Sequence, residues 1–66
     1  MDFEKLNKRI KKSGLKQEYI AEKLGISRQS LHKKLTGRSQ FKQKEVFELS
    51  KLLHLSCEES MSIFFN

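Results

Sequence analysis

The sequence predicts an all-α protein in which five short helices form one small domain. Apolar residues recur at three- and four-residue spacing along most of the chain, the signature of helices with one buried face. No proline interrupts these runs, and the three glycines, at 14, 25 and 37, fall just past their ends. Sixty-six residues leave room for one core and no second domain, near the size at which helix packing or dimerisation must supply most of the stability.

The elements follow in order. Phe3, Leu6 and Ile10 define a first helix from about Asp2 to Lys12, with Asp2 as its candidate cap and Ser13-Gly14 as its stop. Leu15, Ile20 and Leu24 share a face, so a second helix runs from about Gln17 to Leu24, and Gly25 marks where the chain leaves it with a positive φ. Ser27 can cap a third helix, about Arg28–Thr36, whose Leu31 and Leu35 form an i, i+4 apolar pair. Small Ala21 suits a close crossing of these two helices, and Gly37 ends the third. Beyond the Arg38-Ser39-Gln40 loop, a fourth helix spans about Lys42–His54 with Val46, Leu49, Leu52 and Leu53 on its core face. Phe41 and Val46 are spaced for a hydrophobic staple at its start. Ser56-x-x-Glu59 is a capping-box signature that opens a fifth helix through Met61 toward Phe64.

Ile63, Phe64 and Phe65 are costly to leave wet, since burying a large apolar side chain is worth about 1.5–3 kcal/mol. Two destinations are open to them. Ile63 and one phenylalanine can close the monomer core, or the tail can form a dimer contact by helix packing or strand exchange.

Charge is unevenly placed within the net +6. Residues 1–38 hold eleven Lys/Arg against four Asp/Glu, and residues 39–66 hold three against four, balances of +7 and −1. A basic half and a near-neutral half suggest one end facing a polyanion and the other facing protein or solvent. Lys8, Arg9, Lys11 and Lys12 are either part of that basic surface or a solvated helix face. A lone Cys57 cannot form an internal disulfide, and with no leader-like or membrane-length apolar run the expected location is the cytoplasm.

The segment Gln17–Gly37 requires two short helices joined by a turn at a steep angle. That is a helix-turn-helix, and it makes double-stranded DNA the expected ligand. The pattern Gln17-x3-Ala21-x3-Gly25-x5-Leu31 resembles the lambdoid phage repressor and Cro family, also called the Xre family, and the similarity extends from about Phe3 to Ser56. The SRQSLHKKLTG segment is similar to the recognition helix of small phage regulators of Gram-positive hosts. The resemblance implies a lambda-repressor-like five-helix domain with the helix-turn-helix in helices 2 and 3. It also implies a nucleoid-associated transcriptional regulator of Cro or repressor type, phage or prophage encoded. Such a protein binds a two-fold operator as a weak or DNA-induced homodimer.

A helical wheel with Leu31 and Leu35 inward turns Gln29 and Lys33 outward, with Ser30 and Thr36 beside them. Arg28 lies nearer the buried side by angle but sits in the first turn, where a side chain reaches past the helix end. The resemblance then makes Arg28, Gln29 and Lys33 the base-reading set, with Ser27 and Ser30 as secondary contacts. Gln pairs with N6 and N7 of adenine, and Arg or Lys with O6 and N7 of guanine. By the same resemblance Gln17 bonds a phosphate and braces the recognition helix, and Arg38, Gln40 and Lys42 make further backbone contacts. Tyr19 either adds a phosphate contact or packs on the first helix. One departure stands out: relatives often carry a bulky apolar residue where this chain has Lys34. Leu35 is expected to fill that role while Lys34 extends its stem along the surface.

Other chemistry finds little support in the sequence. His54-x-x-Cys57 lacks further ligands nearby, the other histidine being His32 on the third helix, so no metal is expected. His54 reads as a helix C-terminal residue near the last carbonyls, and Cys57 as a small, partly buried one. No nucleophile–base pair, phosphate loop or paired carboxylates suggest an enzyme or a cofactor. The rival to DNA binding is a protein-interaction module, an antirepressor or an antitoxin acting on another regulator.

Overall fold

In the computed structural model, which describes residues 1–65, five helices follow one another: α1 Phe3–Ser13, α2 Gln17–Leu24, α3 Arg28–Leu35, α4 Gln43–Leu52 and α5 Cys57–Phe64. Asn66, the last residue of the tail, lies outside the described residues. Asp2 caps α1 as the sequence predicts, its carboxylate accepting the Lys5 N–H at 3.1 Å. The Ser56–Glu59 capping box also forms, each side chain accepting the other residue's backbone N–H at 3.1–3.2 Å. Lys42 caps α4 without a side-chain acceptor, so only half a box exists there: its N–H donates to Glu45 at 2.8 Å. Phe41 and Val46 flank this cap half-buried, packed against the core.

The turn between α2 and α3 closes as a Schellman motif. Gly25 takes φ 72°, its N–H donates to Glu22, and the next N–H, of Ile26, reaches back to Ala21 at 3.0 Å. Gly37 does the same after α3 at φ 83°, and there space matters as well. A Cβ on Gly37 would lie 3.3 Å from the Phe3 ring. The fourth helix is shorter than its apolar spacing predicts. It ends at Leu52, and His54 adopts φ 54° so that its N–H and that of Leu55 close onto Lys51 and Ser50. A histidine thus takes the left-handed position usually given to glycine, which periodicity cannot foresee.

Leu6, Ile10, Ile20, Ala21, Leu31, Leu35, Leu49 and Leu53 meet at the centre, joined by Ile63 and Phe64. α2 packs on α3 and α4, and α1 on α3 and α5. The two ends of the chain are tied together: the Asp2 N–H donates to the Ile63 carbonyl at 2.7 Å and Lys5 Nζ to Ser62 Oγ at 2.7 Å. Val46 and Leu52, expected in the core, sit half-buried at its margin.

Lys34 overturns its expectation. Rather than running along the surface it is buried, 7% exposed, in an ion pair with Glu45, which is 6% exposed. The reason is that α4 and the residue just before its cap supply both partners an ammonium needs: the Glu45 carboxylate from the helix and the face of Phe41 ahead of it, whose centroid lies 6.0 Å from Lys34 Nζ. Phe64 in turn meets Phe41 edge-on at 6.3 Å and closes the site from the tail side. Cys57 is likewise corrected, being exposed at the first position of α5, which caps the helix with Ser56 and leaves the next side chain in solvent.

Burial pushes the Glu45 carboxyl up. The Lys34 hydrogen bond, the Lys42 N–H and the charges of both lysines outweigh it and hold the carboxyl below its ordinary 4.5. A carboxyl lowered on folding contributes stability that is fully present above pH 4.5 and is lost as pH falls through the folded value. Breaking the pair by Glu45→Gln should cost about 3–5 kcal/mol, because it strands a buried charge, whereas Lys34→Met/Glu45→Leu, which strands none, should cost only the lost bond to the Lys42 N–H, about 0.5–1.5 kcal/mol. Chemical denaturation across pH checks both statements. The stability gap between wild type and the double variant should change below pH 4.5 and stay flat above it.

Candidate nucleic-acid interface

Helix α3 has one face locked inward by Leu31, Lys34 and Leu35. The spacing of those three turns Gln29 and Lys33 to the opposite side, as the wheel predicts, with His32 exposed on the flank and Arg28 exposed in the first turn nearer the buried side. Ser27 caps the helix, its Oγ accepting the Ser30 N–H at 3.1 Å, and the two hydroxyls lie 3.0 Å apart. Both serines therefore serve the helix start first, and Ser30 is half-buried. At the other end the Lys33 carbonyl accepts the N–H groups of Arg38 at 2.9 Å and Ser39 at 3.3 Å. The loop that carries Arg38 and Gln40 is thereby folded back against α3, and Lys42 follows as the α4 cap, all three exposed.

Gln17 opens α2 and is half-buried. The tie between the starts of α2 and α3 is made by its neighbour: Arg28 Nη1 donates to Glu18 Oε1 at 3.2 Å across a largely exposed ion pair. Sequence reasoning missed Glu18. Its signal was an acid ten residues before an arginine across a tight turn, which carries weight only once the turn geometry is known. Tyr19 is part-exposed with Lys23 Nζ 5.5 Å from its ring centre, a contact within α2.

The basic run of α1 divides. Arg9 belongs to the monomer, its Nη2 donating to the Leu53 carbonyl at 2.9 Å and its Nε facing Glu59 at 3.5 Å. That contact and, before it, the Ser56 N–H hold the Glu59 carboxyl below its usual range despite partial desolvation. Lys8 pairs loosely with Glu4 in solvent, while Lys11 and Lys12 are exposed. Among the described residues no group of three or more His, Cys, Asp and Glu is gathered where a metal could sit. No helix among the described residues is long and apolar enough to cross a membrane.

A helix with one face clamped in the core and the other exposed, preceded by a tightly turned partner helix on a basic half-domain, defines a helix-turn-helix DNA-binding module. Residues 6–60 match the family described as helix-turn-helix, and the chain belongs to that family of DNA-binding regulators. No curated protein and no solved structure matches the chain. The five-helix arrangement is lambda-repressor-like.

Because Gln29 and Lys33 are exposed, Gln29→Ala and Lys33→Ala should change folding stability by no more than about 0.5 kcal/mol. Leu31→Ala, on the buried face of the same helix, should cost about 2–5 kcal/mol. Thermal melting followed by circular dichroism separates the two faces.

Proposed function

We propose that the protein is a sequence-specific transcriptional regulator of Cro or repressor type, phage or prophage encoded, that reads a two-fold operator. The observation that carries this reading is the outward face of α3, where Gln29 and Lys33 stand clear and Arg28, paired with Glu18, is exposed at the helix start, while Lys34 and Leu35 hold the helix in place. The resemblance of Ser27–Gly37 to the recognition helix of small phage regulators supports the biological role. In this reading Arg28, Gln29 and Lys33 contact base edges, Ser27 and Ser30 assist, and Gln17, Arg38, Gln40 and Lys42 engage phosphates.

Dimerisation belongs to the same proposal. The chain measures 28 Å along its longest axis, whereas half-sites one turn apart are separated by about 34–36 Å, so one copy serves one half-site. Of the three tail residues considered for the contact, Ile63 and Phe64 are closed inside the core at 2% and 7% exposure. Phe65 alone remains at the surface, 71% exposed, and it lines an open groove with Phe47, Val46 and Leu55 between α4 and α5. That groove lies on the near-neutral half of the chain, which leaves the basic half free for DNA.

Mobility shift against the DNA flanking the gene tests the reading. Lys33→Ala and Gln29→Ala should each lose about 1–3 kcal/mol of operator binding and relax base preference at one position. Gln17→Ala should weaken binding to all sequences by a similar factor, as loss of a phosphate contact does. Affinity should drop steeply with salt as counterions are released. A flat salt response would favour the rival protein-interaction module. Phe65→Ser should leave the monomer folded but abolish cooperative filling of two half-sites, while Phe64→Ala should unfold or strongly destabilise the chain.

A further inference from the structure

We propose that Glu18 is a positioning residue that turns Arg28 into a reader of guanine; this rests on the DNA-reading face described above. Arg28 is the first residue of α3 and Glu18 the second of α2, so the pair bridges the starts of the two helices that form the motif. The contact is specific in its atoms: Glu18 Oε1 takes Nη1 of the guanidinium at 3.2 Å. A guanidinium offers two pairs of parallel donors, Nη1 with Nη2 at its end and Nε with Nη2 along its side. With Nη1 engaged, the side pair stays free, and two parallel donors are what O6 and N7 of guanine accept in the major groove.

Stability is not what this pair supplies. Its side chains are 66% and 72% exposed, and surface ion pairs of that kind contribute little to folding. Its effect is on where the arginine goes. Residues 1–38 are strongly basic, and a mobile arginine at the edge of such a surface is drawn to the nearest phosphate, which carries no sequence information. A carboxylate beside Arg28 competes with phosphate for the guanidinium and repels the phosphate itself. Glu18 therefore lowers affinity for arbitrary DNA and raises discrimination at one base pair, two effects of opposite sign from one side chain.

Wild type, Glu18→Gln and Arg28→Ala are each used to select from a pool of duplexes randomised across both half-sites. Affinities for the selected and for unrelated DNA are then measured at fixed salt, with melting curves establishing that all three chains fold. The position at which Arg28→Ala loses preference identifies the base that arginine reads. Glu18→Gln should lower the preference for guanine at that same position by about tenfold, leave the other positions unchanged, and bind unrelated DNA as tightly as wild type or more so. Unchanged guanine preference in Glu18→Gln, or a loss spread evenly over all positions, overturns the inference while leaving the proposed function standing. A wild type with no sequence preference overturns both.

Discussion

The buried ion pair between Lys34 and Glu45 is the interaction on which the arrangement of this small domain turns, since it joins the exposed helix to the helix behind it at a point closed off from water. A charge in such a place is tolerated only when its partner is fixed and its remaining bonds are satisfied. Glu45 meets that condition by accepting the Lys42 N–H as well as Lys34, so one carboxylate both starts α4 and anchors α3. Phe41 lies against the ammonium and Phe64 against Phe41, which brings the last turn of the chain into the same cluster. The tail is thus part of what holds the outward-facing helix in position.

This arrangement leaves little freedom in the angle of α3. Its buried face is pinned by Leu31, Lys34 and Leu35, its start by the Ser27 cap and its end by the Gly37 turn against Phe3. The loop after it is drawn back onto the Lys33 carbonyl, and Asn7 of α1 donates to the Leu35 carbonyl at 3.4 Å. A side chain that reads a base edge must be placed to within a fraction of an ångström, and these restraints act on the backbone from both ends. The basic residues divide in role as well. Arg9 is spent on the α4 and α5 ends of the fold, whereas Arg28, Lys33, Arg38 and Lys42 remain at the surface.

For a chain of this size the core is small, and the ends of the sequence are recruited to enlarge it. Ile63 and Phe64 supply apolar bulk, the Asp2 N–H bonds the Ile63 carbonyl, and Lys5 reaches Ser62. Phe47, Met61 and Phe65 are left outside, 58–71% exposed, on a domain that has few large apolar groups to spare. They lie on the half without excess positive charge, and the proposed dimer contact draws on Phe47 and Phe65.

Local chemistry determined much of this from the sequence alone. The five helices, the Asp2, Ser27 and Ser56 caps, the turn glycines and the outward direction of Gln29 and Lys33 follow from spacing, because each depends on residues within one or two turns of one another. Contacts between residues far apart in the chain were decided only by tertiary structure. Lys34 looked like a surface residue until α4 brought it a carboxylate and the loop before α4 an aromatic face, eleven and seven residues away. Arg9 read as part of either a basic surface or a solvated helix face until Leu53 and Glu59 claimed it, and Glu18 gained meaning only when the turn set it beside Arg28. Helix periodicity tells which side of a helix is buried; what a buried or bordering charge meets there depends on how the other helices cross it, and no local pattern encodes that.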